Sequence, residues 1–256
     1  MRSTLISDAH LQGDDARQRR LVDFVDRWQT DELVLVGDIF DAWYGWDSVV
    51  YSAYLPFIEA LARKHRQGVS LVFVPGNHDF AVGGALAEYA GVQAQDRWRR
   101  DTGGRRVVAV HGDQAHNPLS QRAFNWFLRG RGARAVMRLV GPDAGWRMAS
   151  HLASRNRRNG MYTAERLAAL LDAQARWAVG VLRDEEASLV FVGHTHAPGI
   201  AEVDGGQLVN LGDWVDHCTF AVVDDASVQL LRWTGDEAVP VPHGPPARRS
   251  WANGGV

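Results

Sequence analysis

Hydrophobic positions along the chain follow two periods. Continuous apolar runs occur at Leu5-Ile6, Leu33-Val34-Leu35-Val36, Leu71-Val72-Phe73-Val74, Val107-Val108-Ala109-Val110, Leu189-Val190-Phe191-Val192 and Phe220-Ala221-Val222-Val223. Runs this short and rich in β-branched residues predict strands buried on both faces. Between the early runs the period lengthens. Leu21, Phe24, Val25 and Trp28 share one helical face, and Tyr51, Tyr54, Leu55, Ile58 and Leu61 repeat the pattern, with Ser48 placed to cap that second helix. Strands alternating with helices predict an α/β core. Late in the chain, strands near 207–210, 219–223 and 228–233 follow one another without a helix, which predicts a second, partly antiparallel sheet.

Residues 119–183 carry no strand pattern. Phe124, Phe127 and Leu128 line one helical face, and Leu167, Leu170, Leu171 and Gln174 line another, while Gly130, Gly132, Gly141-Pro142 and Gly145 break the stretch into pieces. Charge sharpens this reading. The span 119–176 holds 11 Arg against Asp143, Glu165 and Asp172, a net of +8 in a chain whose formal charge is −2. It reads as a basic helical insertion at about 119–183 within a domain spanning 1–239, and the Pro- and Gly-rich tail 240–256 is expected to be disordered.

Composition is otherwise ordinary, with 256 residues, 46% hydrophobic and 23% charged, which excludes collagen-like and wholly disordered chains. The overall balance excludes a globally basic nucleic-acid binder, and no nucleic-acid partner is expected. A single cysteine, Cys218, excludes an internal disulfide or a thiolate metal site and points to a reducing compartment. No apolar run approaches the ~18 residues that span a bilayer. A cytoplasmic protein is expected, peripheral on the inner face of the membrane where the basic insertion meets anionic lipid.

Five strands run directly into metal-binding or acid–base residues: Asp8-Ala9-His10, Gly37-Asp38-Ile39-Phe40-Asp41, Gly76-Asn77-His78-Asp79, His111-Gly112-Asp113 and Gly193-His194-Thr195-His196. Ligands of α/β sheets bind beyond the carboxyl ends of the strands, so Asp8, His10, Asp38, Asn77, His111, His194 and His196 are expected in one crevice. Mixed nitrogen and oxygen donors suit Mn, Fe, Zn or Co. Seven candidates exceed the needs of one ion and fit two sharing a carboxylate. Glycines at 37, 76, 112 and 193 allow tight turns and close backbone approach. Asp41 and Asp113 each fit two roles, orienting a ligand histidine or closing a turn.

These five blocks, in this order, resemble the calcineurin-like metallophosphoesterase superfamily over 8–196. The resemblance implies a four-layer sandwich, two mixed β-sheets flanked by helices, with a dinuclear centre at the strand ends. It implies Asp8, His10, Asp38 and His196 around one divalent ion and Asp38, Asn77, His111 and His194 around the other, with Mn²⁺ the expected metal. A narrower likeness to UDP-2,3-diacylglucosamine pyrophosphohydrolases of lipid A synthesis rests on Gly37-Asp38-Ile39-Phe40-Asp41-Ala42-Trp43-Tyr44-Gly45, Phe80, His194-Thr195-His196-Ala197-Pro198 and Leu211-Gly212-Asp213-Trp214. It implies that the helical insertion forms a lid over acyl chains. His78 stands where many members have Arg, and Gln114-Ala115-His116-Asn117-Pro118 departs from the pattern.

The expected reaction is hydrolysis of a phosphoric ester or anhydride, with a UDP-linked acylated sugar cleaved at its pyrophosphate. Another phosphomonoester, phosphodiester or nucleotide is the alternative substrate. A non-enzymatic scaffold is the third reading, and the intact His78 and full ligand set argue against it. His78 is read as general acid or transition-state donor, with Asp79 orienting its ring. Asn156, Arg157 and Arg158 are the candidate substrate contacts in the insertion. Asp213 and Trp214 are read as shaping the second sheet, and His217 as a surface or packing residue.

Overall fold

Alternation of inward and outward residues along each strand sets the layers. The computed structural model describes residues 1–13, 15–43, 49–79, 84–115, 141, 143–144 and 163–242. One sheet contains β1 (Ser3–Ile6), β2 (Glu32–Val36), β3 (Ser70–Val74) and β4 (Val92–Ala94), all parallel, extended antiparallel from β1 by β10 (Thr219–Val223), β11 (Val228–Trp233) and β12 (Ala238–Pro240). The other runs β5 (Trp98–Thr102), β6 (Arg105–Ala109), β7 (Leu189–Val192), β9 (Gly206–Asn210) and β8 (Gly199–Val203), with a parallel centre and antiparallel edges.

Leu5, Val34, Val36 and Val72 on the first sheet meet Val107, Ala109, Phe191 and Val209 on the second, all inaccessible to solvent or nearly so. Their neighbours Ile6, Leu33, Leu35 and Phe73 point the other way, against α1 (Ala16–Arg27), α2 (Leu55–Arg66) and α3 (Gly84–Ala90). On the far side Val108, Val190 and Val192 pack against Ala175, Ala178, Val181 and Leu182 of α4 (Ala164–Asp184). The result is the four-layer order of helices, sheet, sheet and helix, as expected of an α/β sandwich. Burying both faces of every central strand removes enough apolar surface to make this the dominant stabilising term.

Side-chain caps fix two helix starts. The Asp15 carboxylate accepts from the Gln18 N–H at 2.9 Å, and the Thr163 hydroxyl accepts from the Arg166 N–H at 3.3 Å. The second expected helix begins later than its apolar period indicates. A 3₁₀ turn at Ser52–Tyr54 precedes Leu55 and puts Tyr54 at the N-cap of α2; Ser48, the expected cap, lies outside the described residues. The late strands also differ from expectation. Only β9 joins the second sheet, whereas β10 and β11 return to β1 and complete the first. Pro240 lies in β12, and the Val241 N–H donates to the Leu230 carbonyl at 3.0 Å. The proposed insertion is described only from Thr163 and at 141 and 143–144. No helix among the described residues is long and apolar enough to cross a membrane.

Candidate metal centre

Parallel strands place their carboxyl ends side by side, and the five motif loops leave from those ends. Backbone bonds stitch the loops together. The N–H groups of Asp8 and His10 donate to the carbonyls of Gly37 and Asp38 at 3.1 and 2.9 Å, and the Gly193 N–H donates to the His111 carbonyl at 2.9 Å. Asp8, His10, Asp38, His194 and His196 all have φ between 44 and 71°. They are five of the seven non-glycine residues with positive φ among the described residues, so backbone strain concentrates here. Such conformations persist only where surrounding contacts over-determine them.

Three donor groups emerge among the described residues. Asp8, His10 and His196 form the first, Asp38, His111 and His194 the second, and His10, Asp41 and His78 a third that overlaps the first at His10, each offering atoms within 4.8 Å of one another. In the first, the Asp8 Oδ1 lies 3.8 Å from His10 Nε2 and 3.4 Å from His196 Nε2, and has no hydrogen-bond partner although buried. The two Nε2 atoms face each other at 3.2 Å. In the second, Asp38 Oδ2 and Asn77 Oδ1 each lie 3.3 Å from His111 Nε2. Asp38 Oδ2 is also 3.9 Å from His10 Nε2, which puts this carboxylate between the first two groups.

Electrostatics favour positive charge at this point. Burial opposes ionisation of Asp38, but His111 and His78 outweigh it and hold the carboxyl well below its usual range. Burial likewise disfavours a charged His111, yet Asp38 outweighs it and raises the imidazole well above its usual value. His10 goes the other way: burial, only partly offset by Asp38, pushes it well down and leaves it a neutral donor. Burial raises Asp8 against the pull of His111 and His196. Nitrogen and oxygen atoms converging with an orphaned buried carboxylate oxygen fit divalent ions of the borderline class.

The structure brings the seven expected residues together at the strand ends, with Asp41 and His78 beside His10. His78 lies beside them, its ring 4.9 Å from that of His10 and its Nδ1–H donating to the Asp41 carbonyl at 2.8 Å, which leaves Nε2 for another task. The expected role of Asp79 is not met. Its Oδ1 accepts from the N–H groups of Asp38 and Gly76, and its Oδ2 from those of Ile39 and Phe40, at 2.7 to 3.2 Å. Those four donors turn the carboxylate toward the Asp38 loop, so the Asp41 carbonyl, not Asp79, orients the His78 ring. Burial and the nearby Asp38 raise Asp79 to about 6 despite these donors.

Of the two ambiguous acids, Asp41 lies 3.7 Å from His10 Nδ1 and Asp113 is buried beside His111. Asp213 does more than shape a sheet. It is 1% exposed, places Oδ2 4.0 Å from His196 Nδ1 and binds His217 Nδ1 at 2.5 Å. The signal was present, because Leu211-Gly212-Asp213 follows β9 just as Gly37-Asp38 follows β2. Trp214 packs on Phe24 at 4.7 Å on the helix side of the first sheet rather than in the second. Phe80, Asn156, Arg157 and Arg158 lie outside the described residues.

Comparison with known proteins gives a consistent family. Residues 1–198 match the description "Calcineurin-like phosphoesterase". A UDP-2,3-diacylglucosamine hydrolase from Chromohalobacter salexigens is 31% identical over 223 residues, covering 84% of this chain and 89% of that protein. Another from Yersinia pestis is 27% identical over 254 residues, covering 90% and 98% respectively. The solved structure of Yfce, a phosphoesterase from E. coli, is 13% identical with a TM-score of 0.46, covering 93% of this chain and 97% of that one.

Proposed function

Because the chain belongs to the calcineurin-like phosphoesterase family and is a metal-dependent hydrolase, we propose that it cleaves the pyrophosphate of UDP-2,3-diacylglucosamine. The products are 2,3-diacylglucosamine 1-phosphate and UMP. The observation that carries the reading is the pair of donor groups at the strand ends with the Asp38 carboxylate lying between them. The names of the relatives, over most of the chain, support the substrate.

In this proposal Asp8, His10, Asp38 and His196 hold one Mn²⁺, and Asp38, Asn77, His111 and His194 hold the other. Two such ions, when bound, supply a nucleophilic water at neutral pH and neutralise phosphoryl oxygens. The chain's own residues do the rest. Asp79 holds the backbone of 38–40 and thereby aims Asp38. Asp41, through its carbonyl, fixes the Nδ1–H side of His78, so that the ring in its doubly protonated form gives the Nε2 proton to the leaving group and is left neutral. Asn156, Arg157 and Arg158 bind the substrate's phosphate, and the basic insertion covers its acyl chains and meets the inner membrane surface.

The test incubates purified protein and Mn²⁺ with UDP-2,3-diacylglucosamine, its deacylated analogue and a small activated diester. UMP release that weakens steeply as the acyl chains shorten, by ~0.8 kcal/mol of binding per CH₂ removed, is the expected result. Turnover of the diester alone, or equal rates on acylated and deacylated sugar nucleotides, would discard this substrate and leave a phosphoesterase of other specificity.

A further inference from the structure

Gln174 is the polar member of an otherwise apolar face of α4. It is 0% exposed, in the layer formed by Val108, Val110, Ala178, Val190 and Val192. A primary amide there is unfavourable unless its donors and acceptor find partners. They find them in the loop that carries His194 and His196. Gln174 Nε2 donates to the Gly193 carbonyl at 3.0 Å. Its Oε1 accepts from the Thr195 hydroxyl at 3.3 Å and from Asn210 Nδ2 at 2.9 Å. Asn210 Nδ2 also donates to Thr195 Oγ1 at 2.5 Å, and Asn210 Oδ1 accepts from the Gly212 N–H at 3.0 Å.

One arrangement of these groups satisfies all the bonds. The Gly212 N–H fixes the Asn210 oxygen, which turns the Asn210 NH₂ toward Gln174 and Thr195. That fixes the Gln174 oxygen and leaves its NH₂ for the Gly193 carbonyl. Thr195 and Asn210 are buried too, so each bond is sheltered from competing solvent. The residues gripped, Gly193 and Thr195, flank His194, and Thr195 precedes His196. Both histidines are left-handed, with φ of 71 and 55°, a conformation that side-chain-bearing residues keep only when neighbours impose it.

From this geometry we propose that Gln174, backed by Asn210, is a positioning residue that holds His194 and His196 in the strained backbone aiming both rings at the metal centre. The inference rests on the ligand roles proposed above for those histidines. Gln174 itself contacts neither ion nor substrate. Because each proposed ion takes one ligand from this loop, loss of Gln174 weakens both sites, whereas an amide with only a packing role would alter stability and leave metal affinity unchanged.

The test uses Gln174→Met, which keeps the volume and removes the three bonds, and Thr195→Val, which keeps the shape and removes the hydroxyl. Mn²⁺ is titrated calorimetrically into metal-free full-length protein, and hydrogen exchange is followed at the amides of 193–196. Both variants are expected to bind Mn²⁺ at least tenfold more weakly and to exchange faster at those amides. The double variant should be scarcely weaker than Gln174→Met alone, since the two substitutions break one network. Folded Gln174→Met with unchanged Mn²⁺ affinity and stoichiometry would overturn the proposal; if it does not fold, unchanged affinity in Thr195→Val does so. His194→Ala run in parallel separates the two failures. Full two-ion binding by His194→Ala overturns the ligand assignment, and with it the role of Gln174. Metal loss there, with unchanged binding in Gln174→Met, overturns the role of Gln174 only.

Discussion

Replacing Gly193 by alanine tests how the site is held without touching a donor atom. The φ of Gly193 lies outside the left-handed region, so alanine is allowed by the backbone and the effect is steric. A methyl group there overlaps the Ser7 hydroxyl and Asp8 Oδ2. Asp8 Oδ2 accepts from the Ser7 hydroxyl at 2.5 Å and from the His194 N–H at 2.9 Å. Relieving the overlap requires the carboxylate to move by ~1 Å, which lengthens both bonds beyond use. Hydrogen bonds to a charged group contribute ~1.5–3 kcal/mol each, so Gly193→Ala should destabilise by ~3–5 kcal/mol. The same movement swings Asp8 Oδ1 away from His10 and His196 and should lower Mn²⁺ occupancy. Gly180→Ala is the control. It lies in α4 with nothing within 4 Å of the added carbon, and should stabilise by ~0.5–1 kcal/mol through helix propensity. Urea unfolding followed by tryptophan fluorescence, with elemental analysis of the folded protein, measures both effects. A Gly193→Ala protein as stable as the parent and holding two ions would refute the account.

Other expectations are shorter to state. Asp38→Ala should lose at least one ion and nearly all activity while keeping its circular dichroism, and two ions per chain in an active variant would remove the shared carboxylate. His78→Gln should lower kcat by ~10²–10⁴ with metal content unchanged, and the defect should shrink with a leaving group of low pKa. Hydrogen bonds from Arg99, with Arg97, pull Glu185 down to about 2 against burial, from an ordinary 4.5. A depressed carboxyl stabilises the fold above its unfolded value and loses that contribution as pH falls toward the folded one. Because Arg99 reaches into solvent, the contribution is ~1 kcal/mol. Glu185→Gln should therefore lower the urea midpoint at pH 7 and match the parent near pH 2, and a gap constant with pH would contradict the ion-pair origin.

The strands entering the motif loops were legible because burial on both faces leaves a run with no polar interruption. The donors were legible because strand exits carry them in fixed order. What escaped had weaker local signals. β8, Gly199–Val203, is a half-exposed edge whose apolar content is thin, and β4 and β12 are three residues each. Sheet membership of β10 and β11 depends on pairing with β1 more than two hundred residues away, which no local pattern encodes. Asp79 looked like a partner for the adjacent His78 because it is next in sequence. Its carboxylate turned instead to the nearby Gly76 N–H and to three backbone donors some forty residues earlier, where an ionised acceptor is worth more.

That long-range pairing has a temporal consequence. β1, the strand that delivers Asp8 and His10, lies between β2 and β10, and the Asp8 carbonyl accepts from the Trp214 N–H at 3.1 Å. At ~5–20 residues per second, a ribosome takes ~10–40 s between making Asp8 and making β10. During that interval β1 has one open edge, and His194 and His196 arrive only near its end. The chain must therefore hold its first sheet half-built on β2, β3 and the early helices before the histidine loop closes over it. On the ligand roles proposed above, neither ion has its full set until His194 and His196 are made, so metal loading is expected only at the end of synthesis.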